Sequence, residues 1–364
     1  MMKNTKIIII LLIGVLFFAC DKNDEKQIAK IIDHNAAVLD KIPTEWINSA
    51  KEKLHIAYGH TSHGSQLITG MTGLMEWKGD LYKWNNGAMT GALDIRDQIM
   101  GGDLGHNGDL EWESATRSLL DDPRNDDINV VIWSWCGGVS DNTEGGINIY
   151  LDAMNQLEID YPDVQFVYMT GHSDIWSDAT VKASNQQIRD YCIANGKILY
   201  DFYDIERYDP DGTFFEFTND DCGYYDGAGG NLLGNWANEW QNSHTEGVDW
   251  YDCSPAHTQA LNGNLKAYAA WWLWCRIAGW EGTGIKNIAE KEMKIYPNPV
   301  NDILKFETER KIQTVKLFTV SGKLVMQFVN FPKNEINVSR LTPGIYFLKT
   351  YFKTGNKIIR FIKQ

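Results

Sequence analysis

The segment Asp127–Trp135 constrains the fold most. It reads Asp-Ile-Asn-Val-Val-Ile-Trp-Ser-Trp, a nearly continuous apolar run. A strand with no polar face is a strand covered on both sides, as in a parallel sheet layered by helices. Three similar runs stand at Leu54–Tyr58, Val164–Met169 and Lys197–Tyr203. Between them lie stretches with helical spacing: 66–77, 112–120, 146–160 and 178–195. In 146–160 the apolar positions Ile147, Leu151, Met154 and Leu157 fall on one face. A last helix is predicted over 258–279, with Trp271, Trp272 and Trp274 in the core. Residues 27–53 are predicted as a helix, then Pro43, then a second short helix from Thr44 to Lys53. Residues 78–110 and 208–250 read as glycine-rich, irregular excursions. Strand and helix in alternation predict an α/β body with four parallel strands and right-handed crossovers.

The composition changes near Gly282-Thr283-Gly284. Residues 1–282 hold 19 Lys+Arg against 42 Asp+Glu, and residues 283–364 hold 15 against 6. All 14 Trp precede residue 283. The acidic body argues against a nucleic-acid partner, which needs a basic footprint. After residue 293 the period shortens to that of strands: Ile303–Glu307, Val315–Val320, Lys323–Phe328, Glu335–Val338 and Ile345–Phe352. Ser321-Gly322 and Thr354-Gly355-Asn356 are turn signals, so a small all-β, Ig-like sandwich is predicted. Within it, Ile295-Tyr296-Pro297-Asn298-Pro299-Val300-Asn301-Asp302, Val315-Lys316-Leu317-Phe318 and Gly344-Ile345-Tyr346-Phe347-Leu348-Lys349 resemble the C-terminal sorting domain of Bacteroidetes type IX secretion substrates. The resemblance implies handling by the type IX machinery and delivery to the cell surface or the medium.

The N-terminus agrees with export. Lys3 and Lys6 precede a thirteen-residue apolar run, Ile7 to Ala19, too short for a membrane span and suited to a signal peptide. Ala19-Cys20 resembles a lipoprotein cleavage site, with Cys20 as the lipidated residue and a possible membrane anchor. The expected organisation is therefore a signal peptide over 1–20, an α/β domain over 21–282 and a sorting domain over 283–364. Of the five cysteines after Cys20, Cys222 and Cys253 flank one loop and are the expected disulfide. Cys136, within an apolar run, is the expected free thiol.

Chemistry concentrates where the first strand ends. Tyr58-Gly59 leads into His60-Thr61-Ser62-His63-Gly64-Ser65, two imidazoles and three hydroxyls on a strand-to-helix turn. Geometry alone asks for Gly, Asn, Asp or Pro in a turn and gains nothing from imidazole. Acyl transfer needs a nucleophile, a base, a group that orients the base and donors for the oxyanion. Ser62 is the preferred nucleophile, with Thr61 and Ser65 open as alternatives. His257 is the expected base, Asp252 its partner, and Gly105 and Asn107 the oxyanion donors. His172, which ends another strand, is expected to line the same crevice with His60 and His63.

Gly59-His60-Thr61-Ser62-His63-Gly64 resembles the opening block of SGNH/GDSL-hydrolase-like proteins. Leu104-Gly105-His106-Asn107-Gly108-Asp109 is similar to their Gly-x-Asn-Gly turn, and Trp133-Ser134-Trp135-Cys136 falls where a strand ends in Phe-Cys. The segment from Asp252 through His257 to Leu261-Asn262 is similar to their closing block. The resemblance spans about residues 54–279 and implies a flavodoxin-like three-layer sandwich with Ser62, His257 and Asp252 as its triad. The customary Gly-x-Asn-Asp block is missing at Ser134–Gly138, and the spacing from Asp252 to His257 is longer than the customary three.

Three functions are open to such a chain. The first is an exported serine esterase acting on acyl esters of a polysaccharide or other glycan, with no cofactor. The second is a metal-dependent hydrolase in which His60 and His63, with His257, Asp252 or His172, bind an ion. The third is a carbohydrate-binding surface protein on a degenerate scaffold, with loop tryptophans such as Trp112 and Trp176 as stacking platforms.

Overall fold

The computed structural model describes residues 28–282 and 293–364, apart from 309–311, 320–322, 330–334 and 352–355. The signal peptide, Cys20, the boundary residues Thr283-Gly284 and the turns at Ser321-Gly322 and Thr354-Gly355 lie outside the described residues. No helix among the described residues is long and apolar enough to cross a membrane.

Seven strands form one all-parallel sheet: β1 (Lys30–Ile32), β2 (His55–Gly59), β3 (Trp84–Asn85), β4 (Leu93–Asp97), β5 (Val130–Trp133), β6 (Gln165–Met169) and β7 (Ile198–Tyr200). Their order is β1-β7-β6-β5-β2-β4-β3. The central five, β4-β2-β5-β6-β7, follow the doubly wound order 2-1-3-4-5. Helices α1 (Thr44–Lys53), α2 (Ser65–Lys78) and α8 (Ala260–Ile277) pack together, and α3 (Glu111–Leu120), α4 (Glu144–Asp160) and α5 (Asp178–Asn195) pack in succession. Strand β5 is buried at every position, as its composition requires.

The structure adds three strands to the four predicted. Strand β4 reads Leu-Asp-Ile-Arg-Asp, yet lies beside the sheet's centre. Its polar residues are accommodated by pairing: Asp94 accepts from His55 Nδ1 at 2.8 Å and from Arg96 at 3.3 Å. Strand β1 falls within the helix predicted after residue 27. Ile31 and Ile32 are β-branched and pair with Leu199 and Tyr200, and Asp33 then caps a short turn at His34–Ala36. After β7 comes the short helix α6 (Phe202–Ile205), and the excursion 208–250 holds a hairpin of β8 (Gly223–Tyr225) and β9 (Leu232–Asn235), followed by α7 (Trp236–Ser243).

Helices α2 and α8 meet at glycines. A side chain on Gly70 would lie 2.0 Å from the Gly263 carbonyl. Trp271, Trp272 and Trp274 are buried in α8 as expected. The expected disulfide is absent. Cys222 hydrogen-bonds Thr258 Oγ1 at 3.2 Å, Cys253 faces Ala260 O at 3.6 Å, and the five described cysteines are all free thiols.

Residues 293–364 form two antiparallel sheets. One is β10 (Lys294–Tyr296), β11 (Ile303–Glu307) and β14 (Glu335–Asn337). The other is β13 (Leu324–Val329), β12 (Thr314–Thr319), β15 (Gly344–Tyr351) and β16 (Asn356–Lys363). Their core, built on Val315, Leu317, Leu348 and Phe361, is separate from that of the α/β body.

Candidate active site

In a parallel sheet every strand delivers its following loop to the same edge. Doubly wound sheets place their sites where the strand order reverses, here between β2 and β5. The loop after β2 carries His60–Gly64 and the loop after β5 carries Ser134–Gly138. Backbone bonds lock the two together: Ser134 N–H donates to Gly59 O at 2.9 Å.

At this point three side chains stand in line. His63 Nδ1 lies 3.0 Å from Cys136 Sγ, and His63 Nε2 lies 3.0 Å from Asp220 Oδ2. Ser62 Oγ approaches the same sulfur at 3.4 Å. The second oxygen of Asp220 accepts from Asn219 Nδ2 at 2.6 Å. The electrostatics follow from these contacts. The hydrogen bond from His63 pulls the Cys136 thiol down to about 5, with Ser62 and Thr61 adding to the effect and half-burial opposing it. Burial alone would lower the His63 pKa, but Asp220 and Cys136 outweigh it and raise it to about 9. Burial would likewise raise Asp220, yet His63 and the nearby His172 and His257 hold it below the usual carboxylate range. Thiolate and imidazolium therefore coexist over a window centred near neutral pH.

His172 and His257 stack on His63, with ring centroids 3.7 and 4.5 Å away. His257 adopts a left-handed backbone, φ +64°, on an exposed loop. His60 is buried and turned aside, with Nε2 2.6 Å from Asp97 Oδ1 and Nδ1 2.8 Å from Thr61 O. Thr61 donates to Asp103 at 3.1 Å, and Ser65 donates to Ser62 O at 2.6 Å.

The structure assembles a different constellation from Ser62, His257 and Asp252. Ser62 meets sulfur rather than imidazole, and among the described residues no hydrogen bond joins Asp252 to His257. The segment around Asp252 is fixed along α8 instead, because Asn264 bonds both the N–H and the carbonyl of Tyr251 at 3.0 Å. Gly105 and Asn107 lie on a turn that abuts the chain after Cys136. A side chain on Gly138 would meet Gly105 O at 3.4 Å, while Asn107 is exposed at the tip with φ +51°. Trp176 is 75% exposed on the turn after His172. Trp112 is 2% exposed, set against Trp133 and Tyr150, and cannot serve as a sugar platform.

Cys136 and Asp220 were missed for different reasons. The thiol follows an apolar strand and passes for a core residue, although Gly137-Gly138 directly after it marks a strand-end turn. Asp220 lies in an excursion without periodicity, 157 residues from its partner. As for metals, one nitrogen each of His63 and His257 and one Asp220 oxygen lie within 4.8 Å of one another, within reach of a single ion. His60 is not part of that group.

Residues 294–364 match the Secretion system C-terminal sorting domain. That decides the destination. The chain is exported through type IX secretion to the cell surface or the medium. No curated protein matches it. Solved structures similar to it include an endo-beta-1,4-mannanase double mutant from Cellulomonas fimi, at 11% identity and TM-score 0.21 over 84% of this chain and 59% of that one. Another is the endo-beta-1,4-mannanase from Thermotoga petrophila, at 8% identity and TM-score 0.23 over 85% and 64%. The chain spans less than two thirds of their length, and TM-scores of this size carry no inference about fold or activity.

Proposed function

We propose that this exported protein is an acyl hydrolase of SGNH-like layout in which Cys136, rather than Ser62, is the nucleophile. The observation that carries the reading is the line Cys136–His63–Asp220 at the β2/β5 switch point. In this scheme the Cys136 thiolate attacks the ester carbonyl and forms a C–S bond. The C–O bond breaks, and the leaving alcohol takes the proton from His63 Nδ1. Water then attacks the thioester and gives one proton to His63. The C–S bond breaks, the acid leaves and the ion pair is restored. Asp220 fixes the imidazole and stabilises its charge. The Gly105–Asn107 turn beside Gly138 is the source of oxyanion donors. Acylated glycans outside the cell are the substrate class, supported by export and by exposed Trp176 on the turn after His172. In domain terms, residues 21–282 do the chemistry and 283–364 direct export.

A small acetyl ester tests the proposal: wild type turns it over and Cys136→Ala does not. Full activity in Cys136→Ala removes the thiol from the mechanism. A second reading, a metal-dependent hydrolase, is favoured by the grouping of His63, Asp220 and His257. Activity lost to a chelator and restored by zinc establishes that reading. Glycan binding with no turnover of any ester leaves the carbohydrate-binding reading.

A further inference from the structure

An ion pair lies beneath the site with no part in the scheme above. Lys266 on α8 is 0% exposed in its side chain and Glu206 is 1%, and Lys266 Nζ donates to Glu206 Oε1 at 2.6 Å. Burying two charges is expensive, and apolar residues of the same size commonly do as well for stability. The connections of this pair suggest what it is for. Glu206 Oε2 accepts from the Ser173 N–H at 2.6 Å, directly after His172. Lys266 also donates to Gln66 Oε1. Gln66, itself fully buried, donates from Nε2 to Ala256 O at 2.6 Å, directly before His257. Thr218, two residues before Asp220, donates to Ser173 Oγ at 3.1 Å. Three separate loops thus bring His172, His257 and Asp220 against His63, and one buried network holds all three. Charge gives this network a directional hold that an apolar core lacks.

We infer that Glu206, Lys266 and Gln66 are positioning residues, which set His63 on its partners by fixing the loops of His172, His257 and Asp220. The inference rests on the acyl-hydrolase reading for its effect on turnover, but not for its effect on the thiol. Two variants test it: Gln66→Met, and the paired Lys266→Met/Glu206→Gln, which removes both charges together. Ile188→Val, a core change on α5, is the control for lost stability. Iodoacetamide alkylation of Cys136 is followed against pH by peptide mass spectrometry. The expected result is an acid limb shifted to higher pH by about half a unit or more in both variants, and unmoved in the control. Turnover of a small acetyl ester falls by about tenfold or more in kcat, with KM within about twofold. Folded variants with an unmoved limb and unchanged kcat overturn the inference, and Gln66→Met alone decides it if the paired variant does not fold. A wild type that alkylates with the low limb but hydrolyses no ester sinks the hydrolase reading instead, and the limb still decides the positioning role.

Discussion

At the scale of residues, the chemistry turns on where one imidazole puts its two nitrogens. His63 gives Nδ1 to Cys136 and Nε2 to Asp220, and stacked His172 and His257 hold the ring plane. Cys136→Ser replaces a thiolate by a neutral hydroxyl and should cost on the order of 10³-fold or more in kcat/KM for a small ester. Ser62→Ala removes only a hydrogen bond to sulfur, so a loss nearer about tenfold is expected. A larger loss for Ser62→Ala than for Cys136→Ser would reverse the two roles. The pH profile follows from the same pair. Below about 5 the thiolate takes up a proton, and above about 9 the imidazolium gives one up. Thiolate and imidazolium stand together only between these limits, so activity should rise through the first and fall through the second. Both limbs belong to the pair. Asp220→Asn should draw the upper limb down, and a profile left unchanged would remove Asp220 from the pair. The sequence marked this turn through imidazoles that a turn does not need. It did not show which nitrogen met what, because Cys136 and Asp220 arrive from distant loops.

At the scale of elements, the fold was legible where periodicity is local. Helix α5 was predicted over the residues it occupies, and α2 within one residue at either end. Strand β5 declared itself by being apolar throughout. Strand β4 did not, because its Asp and Arg are satisfied by a hydrogen bond to His55 and an ion pair with Asp127 that no local pattern reveals. Strand β1 is three residues long and exists through its partner β7, so a prediction made from its own neighbours favoured helix. Close approach of α2 and α8 sets the floor of the site, since α2 begins directly after the His60–Gly64 turn. Gly70→Ala would press a methyl group into the Gly263 carbonyl, and thermal or urea unfolding should show a loss of about 1–3 kcal/mol. An unchanged melting curve would mean that the two helices are free to part.

At the scale of the whole molecule, two cores carry two kinds of information. The α/β body holds the constellation around Cys136, and the β-sheets of residues 293–364 hold the sorting signal. The division of charge and tryptophan at residue 283 was legible in composition alone. A chain ending at residue 282 should keep its cooperative melting and its ester turnover while failing to reach the cell surface or the medium. Loss of folding in that chain would show that the body depends on its tail. The proposed acyl hydrolysis rests on which atom becomes acylated. The decisive measurement is mass spectrometry of the intact chain, stopped with acid within one turnover of an acetyl ester, then mapped by peptide. One acetyl group is expected on the peptide containing Cys136 and none in Cys136→Ala. Acetyl on Ser62, with Cys136 unmodified, would rule out the thiol as nucleophile.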